Sequence, residues 1–212
     1  IYPLTKLSDI KKWCYDNGRA YWEYVAEHED EGIWDYLQEI WEAMKRSVER
    51  GIEREGRLPG PLNLQRKAFT YYVKAKGYRK NLQTRGLVYA YALAVSEENA
   101  SGGTIVTAPT CGSCGIMPAV LYHLAKGHEF SDNKILHALA TGGLVGNIVK
   151  QNASISGADV GCQGEVGVAC AMASAAACQI FGGSPAQIEY AAAMGLEHHL
   201  GMTCDPGCGL AQ

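Results

Sequence analysis

Two cysteines stand out by the residues around them. Cys162 lies in Gly161-Cys162-Gln163-Gly164-Glu165 and Cys204 in Thr203-Cys204-Asp205-Pro206, each at a joint between a loop and a Gly/Ala-rich helical stretch. The flanking glycine and proline let backbone crowd close to a bulky ligand. The loops beside them, 152–160 and 205–209, are rich in small hydrogen-bonding groups and nearly free of charge. Thiolates in a pocket of small residues are the donors an iron–sulfur cluster needs.

Other polar groups could complete such a site. Thr107, Thr110 and Ser113, with free backbone N–H groups ahead of a helix expected from Met117, make a candidate anion site. Asn152, Ser154 and Ser156 alternate, so an extended backbone would point all three at one pocket; turn chemistry explains them equally well. Lys150, just before them, reads as a helix C-terminal cation or as a charge partner for a substrate. His198 and His199 are adjacent and so point about 100° apart on a helix, which lets at most one face a given site. Cys111-Gly-Ser-Cys114 has the spacing of a redox pair or half a zinc site, but no βαβ setting and no well-spaced second pair accompany it. Cys170 and Cys178 read as small buried hydrophobes, and His123, His128 and His137 show no partner pattern.

The elements that must position these groups are helical. Residues 1–100 hold 31 of the 41 Asp, Glu, Lys and Arg, whereas 18 of the 25 glycines fall after residue 100. The first half therefore reads as solvated helices and the second as a tightly packed core with functional loops. Apolar spacing predicts helices at 8–27, with Ser8 as N-cap, and at 32–52, 65–76, 83–97, 117–126, 132–150, 165–181 and 184–200. Ser101 to Thr110 reads as loop with a short strand. The run 166–177 is so poor in bulk that its helix should lie near the lower end of the ~8–10 Å range of interaxial distances. The fold class expected is mainly α, a multi-helix globular domain with Gly-rich loops gathered at a cluster site.

Composition narrows the class of protein. The net charge of −3 argues against nucleic acid or an anionic membrane as main partner, and the longest apolar run, 166–181, is shorter than a membrane span. Eight cysteines are too few for a disulfide-built scaffold, so reduced thiols and a cytoplasmic location are expected. Both ends look cut, and one domain fills 1–212.

Three strings carry a resemblance: Thr107-Ala-Pro-Thr110 followed by Gly115-Ile-Met-Pro-Ala-Val120; Asn152-Ala-Ser-Ile-Ser-Gly-Ala158 leading to Gly161-Cys-Gln-Gly-Glu-Val166; and Glu197-His-His-Leu-Gly-Met-Thr-Cys-Asp-Pro206. Together they resemble the catalytic α domain, or α chain, of the iron–sulfur-dependent L-serine dehydratases. The resemblance implies a [4Fe–4S] cluster on three cysteines. Two of them carry over onto Cys162 and Cys204, and the third is expected beyond Gln212; Cys208 falls at a small-residue position. It also implies L-serine as substrate, β-elimination to pyruvate and ammonia, a β domain or β chain as partner, and a homo-oligomer. This chain alone would then be inactive. Thr107, Thr110, Asn152, Ser154 and Ser156 become candidates for substrate binding, and Lys150 or His198 for the base. A cluster-dependent cysteine desulfidase and a non-catalytic zinc-stabilised helical module stand as alternatives.

Overall fold

The computed structural model describes residues 2–128 and 130–202. Nine helices occur among them: α1 Leu7–Asn17, α2 Tyr21–His28, α3 Ile33–Glu53, α4 Ala68–Lys76, α5 Lys80–Ala100, α6 Ile116–His128, α7 Asp132–Asn152, α8 Gly157–Ile180 and α9 Pro185–Glu197. No strand forms among the described residues. The 101–110 stretch is loop, and the one isolated bridge joins Arg57 to Gln65.

The expected first helix is two. Gly18 adopts φ 64° and ψ 35°, closing α1 with N–H bonds to the Cys14 and Tyr15 carbonyls, and the chain re-enters helix at Tyr21. Apolar spacing runs through this break because both helices pack on the same core, where Ile10, Cys14, Tyr21 and Tyr24 are almost fully buried. Ser8 lies inside α1, and Lys6 occupies the N-cap without a side-chain bond. At α9 the expectation holds: Ser184 caps, with Gln187 reaching back to its N–H, and Pro185 opens the helix.

The small-residue helix α8 lies between α7 and α9. A Cβ on Gly195 of α9 would stand 2.7 Å from the Ser174 Oγ and 2.8 Å from the Cys170 carbonyl oxygen. Only glycine admits that approach, which is the close packing the composition of α8 predicts. Leu144, Val168, Met172 and Ile188 fill the core around it.

A buried ionic hub ties the charged half to the loop before α6. Glu98 of α5 is fully buried and accepts from Arg50 Nε at 3.1 Å and Arg54 Nη1 at 2.9 Å. Arg66 stands 3.6 Å away with its side chain 6% exposed. Arg50 also donates to the Thr104 carbonyl at 2.7 Å, and Asn99 donates to the Cys111 carbonyl at 3.1 Å. Arg50 of α3 and Asn99 of α5 thus hold the two ends of the 104–111 loop. Among the described residues no helix is long and apolar enough to cross a membrane.

Candidate functional site

Cys162 follows a break inside α8. Gly161 has φ 72° and ψ 173°, outside the helical region, so Cys162 opens the long helical segment that continues to Ile180. The positive φ is a position that favours glycine. Cys162 is a free, partly exposed thiol. The next residue, Gln163, accepts through Oε1 from the Gly201 N–H at 3.2 Å. Gly201 is three residues before Cys204; Cys204 and Cys208 lie outside the described residues.

A second tether ties the end of α9 to α8. His199 Nδ1 lies 2.8 Å from the Gly195 carbonyl, which can only accept, so Nδ1 carries the proton. Its Nε2 then accepts from the Cys170 thiol at 3.3 Å. Burial pushes Cys170 up to about 11, in keeping with a protonated donor. His199, half-buried, is therefore the inward member of the pair. His198 is exposed, with Nδ1 on the Met194 carbonyl at 2.7 Å.

The loop ahead of α6 meets α8 beside Cys162. Thr110 Oγ1 donates to the Glu165 carboxylate and lies 3.1 Å from Ser113 Oγ. A Cβ on Gly112 would stand 2.6 Å from Glu165 Oε1. The loop that reads as an anion site in sequence is thus closed by an anion of the chain itself, three residues along α8 from Cys162. Cys111 and Cys114 are both free thiols in different surroundings. Cys111 is exposed, while Cys114 is fully buried and pushed up to about 12, chiefly by burial.

Thr107 and Pro109 line a cavity of about 600 Å³ bounded by α2, α3, α7 and Met172 of α8. Lys150 and Asn147 of α7, Tyr2, Glu29 and Ile155 also line it. From the 152–156 segment the cavity therefore takes Ile155. Asn152, the last residue of α7, donates to the Thr5 carbonyl at 2.6 Å and the Ile148 carbonyl at 2.8 Å. Ser154 donates to Asp159 at 2.9 Å and accepts from the Ser156 N–H, and Ser156 caps α8 by accepting from the Ala158 N–H at 3.2 Å. The structure thus brings Thr107 and Lys150 to one cavity and Thr110 to the Cys162 helix. It uses the three alternating polar residues to build the turn between them.

Of the expected cluster ligands, only Cys162 lies among the described residues. Cys162 is a free, partly exposed thiol beside glycine, and Cys170 is committed to His199. Among the described residues no three His, Cys, Asp or Glu side chains gather as a metal site.

The family model of the serine dehydratase alpha chain matches residues 8–212. The L-serine dehydratase of Haemophilus influenzae is 45% identical over all of this chain and 49% of its own length. L-serine dehydratase 2 of Escherichia coli K12 is 42% identical, covering 100% of this chain and 49% of its own. For the L-serine dehydratase of Streptomyces coelicolor the identity is 42%, with 100% and 48% covered. The chain spans about half the length of the curated relatives it matches.

Proposed function

This chain belongs to the serine dehydratase alpha chain family, and from that premise we propose that it is the cluster-binding part of an enzyme converting L-serine to pyruvate and ammonia. Cys162 and Cys204 hold a [4Fe–4S] cluster, with a third cysteine from outside the chain. When bound, a cluster with one open iron supplies Lewis acidity for loss of the β-hydroxyl.

The observation that carries this reading is the Gly201–Gln163 hydrogen bond. It fastens the segment leading to Cys204 next to the residue that follows Cys162. The Cys170–His199 contact holds the same segment from the other side. Thr110 and Glu165 brace the opposing loop against α8, and the turn built by Asn152, Ser154 and Ser156 leads into it.

Thr107 and Lys150 face the cavity and orient the substrate carboxylate. Removal of the Cα proton needs a base, worth typically ~10²–10⁴-fold. Both candidates are exposed; Lys150 lines the cavity, whereas His198 stands at the end of α9. Lys150→Arg separates the two roles of the lysine: arginine keeps the cation but cannot act as a base.

The relatives' greater length supports a second domain, or a separate β chain, that completes the site. Metal analysis of the anaerobically purified full-length protein tests the proposal. Iron with acid-labile sulfide, and pyruvate formed from serine in preference to sulfide from cysteine, are expected. Zinc alone, without turnover, would point to a structural module. Cys162→Ser should remove both the brown chromophore and activity.

A further inference from the structure

The cavity between α2, α3 and α7 is lined by two exposed side chains of opposite charge, neither of them ion-paired among the described residues. Lys150 approaches it from α7, and Glu29 from the residue that closes α2. Among the described residues neither takes part in an ion pair, although seven other such contacts form. They do not quench each other, so the space between them is bounded by a cation and an anion.

Glu29 is held in place. Tyr2, 8% exposed, donates its phenol hydroxyl to Glu29 Oε1 at 2.6 Å. Burial and the neighbouring carboxylate raise the phenol well above its usual range, so it stays a donor. Tyr2 packs against Tyr24 with ring centroids 5.7 Å apart, which fixes the phenol on the core side. One carboxylate oxygen is thereby held by the phenol.

A cavity lined by both a carboxylate and an ammonium suits a ligand that carries both charges. We infer that Glu29, positioned by Tyr2, binds the α-ammonium group of an amino-acid zwitterion whose carboxylate lies towards Lys150 and Thr107. This rests on the serine dehydratase reading and adds to it the group that recognises the amino nitrogen. A pocket built to bind an ammonium rejects an analogue that lacks one, because its carboxylate is then left without a counter-charge.

The test compares L-serine with 3-hydroxypropionate, which keeps the carboxylate and β-hydroxyl and lacks the ammonium. Wild type and Glu29→Gln of the full-length protein are measured by calorimetric binding and by steady-state kinetics. Glu29→Gln should weaken serine binding and raise KM by about 10- to 100-fold with kcat little changed. Its affinity for 3-hydroxypropionate should rise above the wild-type level, because no carboxylate is left without a counter-charge, and its iron content should be unchanged. Tyr2→Phe should give a smaller effect in the same direction. Equal serine affinity in Glu29→Gln, or a parallel loss of 3-hydroxypropionate binding, overturns the inference. Absence of pyruvate formation by the wild type overturns the proposed reaction instead, while the calorimetric comparison still decides the role of Glu29.

Discussion

The Gly201 N–H donates to the Gln163 side chain across 38 positions of sequence, at 3.2 Å. The contact joins the end of α9 to the residue beside Cys162, so whatever fixes Gln163 also fixes the approach to Cys204. Gln163→Ala should cost only about 1 kcal/mol of stability, the usual worth of one hydrogen bond. It should nonetheless lower the iron retained on anaerobic purification and hasten bleaching in air. Gln163→Glu keeps the acceptor and should retain iron near the wild-type level. Equal retention in Gln163→Ala would remove this bond from the account of cluster binding.

Thr110 and Glu165 form a second brace, three residues along α8 from Cys162. Glu165→Ala should release the 110–114 loop, with faster amide hydrogen exchange there and a loss of about 1–2 kcal/mol. Thr110→Val should act in the same direction, and Thr110→Ser should restore protection. Gly112→Ala forces a methyl against Glu165 Oε1 and should mimic the loss of the carboxylate. Unchanged exchange in all three disrupting variants would show that the loop is held by Asn99 and Arg50 alone.

The Glu98 hub supports that loop from below. Glu98→Ala leaves the nearly buried Arg66 without its nearest carboxylate oxygen and should destabilise the fold by about 3–5 kcal/mol. Denaturant unfolding measures it. A loss below about 1 kcal/mol would mean that water already screens these charges.

His137 gives the fold an acid limit. Its ring stacks on Trp22 with centroids 3.7 Å apart. Burial lowers its pKa, with Glu23 opposing in part, and His123 is lowered in the same way, first by burial and then by His128. A base with a depressed folded pKa binds fewer protons folded than unfolded, so stability rises with pH through this window. Stability should therefore fall as pH drops below about 6.5, the unfolded value for histidine, until the folded pKa is passed. His137→Gln should flatten that slope, and an unchanged slope would assign the acid sensitivity elsewhere.

The string around Cys162 stands out in sequence because metal chemistry needs a particular residue type in a confined local setting, and the structure adds the break at Gly161 that sets this free thiol at the head of a helical segment. The helices α3, α7 and α9 lie close to their expected spans because caps and 3.6-residue periodicity are local signals. The break at Gly18 was hidden by periodicity shared by two helices on one core. Glu165 reads in sequence as an ordinary acidic residue near a helix start, and only the fold brings Thr110 to it, 55 positions away. Glu98 and its arginines, up to 48 positions apart, were equally invisible. Tyr2 and Glu29 were missed for the same reason: nothing in the spacing of a tyrosine and a glutamate announces a shared cavity wall.

The interruption at Gly161 divides α8 into two segments. Gly157 to Val160 is knitted to the preceding turn by Ser154 and Asp159, whereas Cys162 opens the segment that packs between α7 and α9. The two segments stay in contact, because Gly157 lies against the Glu165 carboxylate and Gly164 against Val160. A methyl group at either glycine would prise the serine-rich turn away from the helix that begins at the thiol.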